Sequence, residues 1–399
     1  MKSLFSYIRR PLIVSLMGVT LVSAGGALQA GQPFNDPLVP AHRNEPLSMV
    51  MVQPRIQIAI LLDTSGSMDG LIDQTRNQLW QMVNEFARAK YQGITPILEV
   101  AIYEYGNSGL SPYTGYIRQV TGLTRELDRV SEALFSLTTN GGDEFCGAVI
   151  KSAVEELQWS SASSDIRAIF IAGNEPFTQG PVSYKDAIRL AGQRDIRVNT
   201  IFAGDYETGT QTGWLSGAQL AGGNYMNIDQ NHQVVHVVAP QDQKIATLNR
   251  QLNQTYLPYG VQGAAAAKRQ EEQDVKNEQS SLGMLAERVK SKVSAVYNNA
   301  KWDLLDALDS GSVKLEALED QALPEPMVGR TLEEKQAFVQ KHKEERERLQ
   351  KEIQVLTQER DAYVAGEVAK QPASAAPTVS DALSKSIKEE AGKKAYVFE

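Results

Sequence analysis

Asp63-Thr-Ser65-Gly-Ser67 brings a carboxylate and two hydroxyls into one short turn. Side chains at alternate positions around a glycine can converge on a single point, and three hard oxygens there suit Mg²⁺ or Mn²⁺ better than zinc, which prefers nitrogen and sulfur. The position in the chain supports a ligand role. Ile56–Leu62 is an unbroken β-branched and aliphatic run, too short for an ordinary helix, and reads as a strand buried on both faces of a parallel sheet. The turn therefore lies just past the carboxyl end of a buried strand, where open α/β sheets place their ligand crevice.

An amphipathic helix follows, with Leu71, Leu79, Met82, Val83 and Phe86 on its apolar side, expected from about Gly70 to Tyr91. Strand, Asp-x-Ser-x-Ser turn and long helix together resemble a von Willebrand factor type A domain, in which the turn is the first segment of the metal-ion-dependent adhesion site. The resemblance covers residues 53–260 and implies two further loops. Where the family has Gly-Gly-Thr, this chain has Gly141-Gly142-Asp143; where the family ends a strand on aspartate, it has Asn174, followed by Glu175. The expectation is a retained but altered divalent site. Asp63 and Asp143 would be its charged ligands, Ser65 and Ser67 its neutral ones, and Asn174 would hold a metal-bound water. The implied ion is Mg²⁺, with Mn²⁺ or Ca²⁺ as alternatives. A carboxylate at 143 would blunt the attraction of such a site for an acidic partner residue. The competing expectation is a degenerate site in which these side chains only cap helices.

The rest of the segment alternates strands and helices. Strands are expected at Ile97–Tyr105, Tyr116–Val120 (an edge), Ile166–Ala172, Arg197–Ala203 and Asn224–Ile228, with Gln241–Tyr256 as closing helix. This pattern calls for α/β architecture, a doubly wound Rossmann-like parallel sheet with helices on both faces. Beyond Gly263 strands vanish and about a third of the residues are charged. Residues 264–370 read as an α-helical, partly coiled-coil-like region broken near Gly283 and at Pro324-Glu-Pro326. Leu349, Ile353, Leu356, Arg360 and Tyr363 form a short seam; a helical hairpin packing Trp302, Leu305 and Leu308 on Phe338, Leu349 and Ile353 fits equally well. Residues 371–399 read as a Pro/Ala/Ser linker and a tail with a small docking helix.

At the other end, Lys2, Arg9 and Arg10 precede the apolar stretch Leu12–Val22 and a small-residue exit at Ala30: a signal peptide over residues 1–30, then an extended leader over 31–52. The mature chain is expected to be exported, in the periplasm of a Gram-negative bacterium or secreted, with no integral membrane span. Its net charge of −8 argues against nucleic acid as partner. The single Cys146 reads as a small apolar residue on a helix.

His232-Gln233-Val-Val-His236 has the histidine spacing of a zinc-protease helix but lacks its glutamate, and His42 and His342 are isolated. No nucleophile–base constellation and no phosphate loop are present, so no enzyme is expected. The primary reading is an exported protein-binding protein of adhesion or scaffold type whose A-type domain engages another protein through a divalent ion. The alternative is a structural envelope protein working, or self-associating, through its helical region.

Overall fold

The computed structural model describes residues 53–229, 237–370 and 379–398. The signal peptide and leader, His42, the His232–His236 pair and the linker at 371–378 lie outside them. In chain order the elements are β1 (Arg55–Asp63), α1 (Asp69–Phe86), β2 (Ala89–Tyr91), β3 (Ile97–Tyr105), β4 (Ile117–Thr124), α2 (Leu127–Ser136), α3 (Cys146–Glu156), β5 (Ile166–Gly173), α4 (Tyr184–Gln193) and β6 (Arg197–Ala203). There follow α5 (Tyr206–Gln211), α6 (Trp214–Leu220), β7 (Tyr225–Ile228), α7 (Asp242–Asn253), α8 (Gly263–Ser280), α9 (Leu282–Lys292), α10 (Leu304–Asp309), α11 (Leu332–Val368), α12 (Val379–Lys393) and β8 (Tyr396–Phe398).

The main sheet runs β4-β3-β1-β5-β6-β7. It is parallel except for the edge strand β4, which pairs antiparallel with β3. Strand order reverses at β1, the doubly wound, Rossmann-like arrangement of the A-type fold. The pleat sends alternate residues to opposite faces. Ile58, Ile60 and Leu62 of β1 join Val100, Ile102 and Phe170 in one core, while Ala59 and Leu61 join Ala101, Ile169 and Ile171 in the other. Helices α3, α4 and α6 cover the second face.

The first face is covered by α1 and α2 and also by the helical half of the chain. Leu285, Val289, Leu349, Ile353, Leu383 and Ile387 belong to the same core cluster as β1. The boundary expected between 260 and 264 is thus no break in packing, and residues 52–399 form one unit. Its apolar seam is spent on the α/β core: Leu349, Ile353 and Leu356 are buried, whereas Tyr363 is exposed. Of the expected hairpin, Leu305, Leu308 and Phe338 share a small satellite cluster, but Trp302, Leu349 and Ile353 belong to the main core.

Paired charges stitch the two halves. Arg288 of α9, fully buried, donates to Asp274 of α8 (2.6 Å) and Asp128 of α2 (2.7 Å) and lies over the Trp80 ring of α1. Lys292 donates to the same Asp274 and to Asn249 of α7 (2.8 Å). Buried charge is tolerated only when paired in this way.

Several expected bounds shift for local reasons. The first helix ends at Phe86, because Ala89–Tyr91 leaves to pair with β8, a strand in the region where none was expected. The break between α8 and α9 falls at Ser281 instead of Gly283: its extended backbone ends one helix while its hydroxyl accepts from Met284 N–H (3.0 Å) and starts the next. Helix α11 opens with a capping box, Thr331 with Glu334.

Candidate metal centre

Strand β1 delivers Asp63 to the carboxyl edge of the sheet with no solvent exposure. Three loops meet there, laced by backbone hydrogen bonds. Thr64 N–H donates to the Tyr105 carbonyl (2.8 Å), Asn140 N–H to the Thr64 carbonyl (3.0 Å), and Ser108 N–H to the Gly141 carbonyl (2.7 Å). Thr139 Oγ1 binds the Asp69 carboxylate at the start of α1. The third loop is fixed by Trp214, a buried core residue whose indole N–H donates to the Glu175 carbonyl (2.8 Å).

Asp63 Oδ1 accepts from Ser65 N–H (2.8 Å), while Oδ2 is buried and has no hydrogen-bond partner. Burial lifts this carboxyl from 3.8 to about 6; the Ser65 amide and hydroxyl and the Asn174 amide pull it back, and the Glu175 charge pushes it further up. The Asn174 group concerned is its backbone N–H, which favours the Asp63 anion. Ser65 and Ser67 hydroxyls are 3.4 Å apart, and Asn174 Nδ2 donates to Ser67 Oγ (3.1 Å). That hydrogen bond turns Asn174 Oδ1 the other way, where it too is buried without a partner.

Four of the five expected residues, Asp63, Ser65, Ser67 and Asn174, are thus gathered. Asp143 has no hydrogen bond to them. It is exposed. Its neighbour Glu144 is buried, and its carboxyl is raised to about 7, chiefly by burial and then by the charges of Asp63 and Glu175. Glu144 is therefore the second-loop carboxylate that faces Asp63. Counting from Gly141-Gly142 selects position 143, but the turn decides otherwise. Gly142 lies so close to the Gly106 carbonyl that a Cβ there would collide with its oxygen, and it is Glu144, two residues on, whose side chain lies beside Gly106. The sequence holds a faint signal, since Glu144 stands two residues before the buried Cys146 that opens α3.

Two glycines make room for the carboxylates. Gly106 has φ +80°, and a Cβ on it would lie 2.8 Å from Glu144 Cγ and 3.0 Å from Asp63 Oδ1. A Cβ on Gly173 would lie 2.5 Å from the Tyr105 hydroxyl and 3.0 Å from Asp63 Oδ2. Cys146, 3.8 Å from that hydroxyl, is wholly buried, and its thiol is pushed upward by burial. Such a thiol is a packing group. His342 is occupied with the Phe338 carbonyl on α11 (2.9 Å).

Among the described residues no group of three or more His, Cys, Asp or Glu side chains is placed to hold a metal ion. The donors here are instead two carboxylates supplemented by hydroxyl and amide oxygens. An all-oxygen set with two orphaned oxygens fits a hard divalent cation.

No protein-family model matches the chain, and no curated protein matches it. Solved structures do. Proximal thread matrix protein 1 from the mussel byssus is 14% identical over 44% of this chain and 42% of its own, with a TM-score of 0.34. The chain thus matches less than half of that protein's length. The SpRpn10 VWA domain is 16% identical over 46% of this chain and 91% of its own (TM-score 0.33). The conserved hypothetical protein BatB from Bacteroides thetaiotaomicron is 15% identical over 44% and 90% (TM-score 0.33). Likenesses of this size carry no argument of their own; the architecture rests on the sheet order.

Proposed function

We propose that the chain is an exported protein-binding protein whose A-type domain holds a divalent cation, Mg²⁺ first, at Asp63, Ser65, Ser67, Asn174 and Glu144. The observation that supports this reading is the unpartnered Asp63 Oδ2. A buried carboxylate oxygen left without a hydrogen bond is unfavourable by several kcal/mol unless a cation or proton meets it (about 1–3 kcal/mol even for a neutral group). The unpartnered Asn174 Oδ1 adds a second such oxygen. When bound, the cation supplies a positive charge with coordination positions facing solvent. The chain's own residues do the rest. Ser65 N–H fixes the Asp63 carboxylate, Asn174 orients the Ser67 hydroxyl, and the Gly106 and Gly173 gaps keep the carboxylates close.

The role is binding, not catalysis, in this reading: the hydroxyls of Ser65 and Ser67 sit beside carboxylates, and among the described residues the one histidine, His342, is on α11 with the Phe338 carbonyl. Export rests on the signal-peptide pattern at residues 1–30, and no helix among the described residues is long and apolar enough to cross a membrane. The alternative, a structural protein working through its helical half, is weakened by the use of that half's apolar seam within the core. Calorimetric titration of Mg²⁺, Mn²⁺ and Ca²⁺ tests the proposal. Wild type binds one ion, Asp63→Ala and Glu144→Ala weaken it strongly, and Asp143→Ala does not. Unchanged affinity in Asp63→Ala sinks the site.

A further inference from the structure

The five loops that border the centre, residues 64–68, 106–116, 137–145, 174–183 and 204–205, contain no lysine or arginine, although the chain has 40 of them. Acidic residues are plentiful on this edge: Asp63, Asp69, Asp143, Glu144, Glu175 and Asp205. The cations closest in sequence are engaged elsewhere. Arg118, at the start of β4, is paired with Glu104, and Lys185, on the first turn of α4, lies over the Tyr184 ring. The opposite, amino-terminal edge of the strands carries Arg55, Arg167 and Arg197. Those arginines are paired with Glu99, Asp195 and Glu390, so it is the carboxyl edge, where the centre opens, that carries uncompensated acidic charge.

The charge at the centre itself follows. Asp63, Glu144 and Glu175 contribute −3 against the +2 of a divalent ion, leaving −1 before the exposed Asp69, Asp143 and Asp205 are added. A partner carboxylate would approach a negative surface. The same rim presents two exposed rings, Tyr113 (99% exposed) after β3 and Tyr206 (52%) after β6. Carboxylates around an aromatic face are the environment that lysine ammonium and arginine guanidinium groups prefer. The unpartnered buried Asp63 Oδ2 is the oxygen that the divalent ion meets in the reading above, and the docking face is built around it.

We propose that this face docks a lysine- or arginine-bearing segment of a partner protein, with the bound cation neutralised by the chain's own carboxylates and closed to an acidic partner residue. The inference rests on the divalent-cation reading above and reverses the polarity of partner that the family resemblance implies. Attraction of this kind acts mainly on association rate and fades with salt.

The test uses the full chain at pH 8 with saturating cation, whose binding is measured separately by calorimetry. The probes are a fluorescent Gly-Lys repeat peptide and a matched Gly-Glu peptide, followed by anisotropy across a salt series. The expected result is binding of the lysine peptide alone, weakening as salt rises. Asp143→Lys, an exposed position outside the ion's shell, weakens it roughly tenfold, since reversal removes one favourable pair and adds an unfavourable one. Glu316→Lys, an equal change of net charge between α10 and α11, leaves it unaltered. Preference for the glutamate peptide by the ion-loaded chain overturns the inference while the cation reading stands. Equal weakening by both substitutions overturns it as a non-specific charge effect. Absence of ion binding in the calorimeter overturns the cation reading itself.

Discussion

Replacing Asp63 by asparagine should change how the stability of the cation-free protein depends on pH. The buried carboxyl titrates near 6 instead of 3.8. At 1.36 kcal/mol per pH unit, the anion is disfavoured in the folded state by about 3 kcal/mol. The unfolded chain ionises first, so between these values it binds fewer protons than the folded one. Stability contributed by this group therefore falls as pH rises from 3.8 to about 6 and stays low above that. The linkage gives a penalty of about 1.6 kcal/mol at pH 5 and about 3 kcal/mol at pH 8. Asparagine keeps the acceptor for Ser65 N–H and introduces an unpartnered amide group, costing about 1–3 kcal/mol at both pH values. That cost cancels in the difference. The variant should thus gain about 1.4 kcal/mol relative to wild type between pH 5 and pH 8, and somewhat more because Glu144 is released from the Asp63 charge. Urea unfolding in EDTA, read from the fluorescence of buried Trp80 and Trp214, measures both proteins at both pH values. An identical pH dependence, or a wild type that gains on the variant as pH rises, refutes the reasoning.

Arg288→Met should destabilise the protein by about 3–5 kcal/mol, because Asp128 and Asp274 lose a shared buried cation; denaturant midpoints check this. Gly173→Ala forces Tyr105 or Asp63 to move, an overpacking of about 1–3 kcal/mol. Calorimetry should show cation affinity falling about tenfold with circular dichroism unchanged. Removing residues 379–399 uncovers the sites of Val379, Leu383, Ile387 and Tyr396, each worth roughly 1.5–3 kcal/mol. Their sum rivals the 5–15 kcal/mol of a typical domain, so the truncated chain should lose its cooperative thermal transition.

Local rules made much of this protein legible in its sequence. The run Ile56–Leu62 could only be a strand buried on both faces, and its end at Asp63 placed the first loop of the centre. The alternation of strands and helices fixed the doubly wound class, since each element carries its period in its own residues. The third loop was readable for the same reason: Asn174 follows directly on a buried strand. Tertiary structure decided the rest. Asp143 and Glu144 are adjacent carboxylates with no local feature to rank them, and only the packing of the loops leaves Asp143 exposed and Glu144 buried beside Gly106 and Asp63. The helical half looked like a separate region because amphipathic helices announce that they bury a face without saying against what. Its partner proved to be the sheet's own helices, and Arg360, read from sequence as a member of the short seam, became, like Arg288, part of a buried ion pair across that contact. The chain's periodicity determined its elements; only long-range packing determined which faces meet and which carboxylate enters the centre.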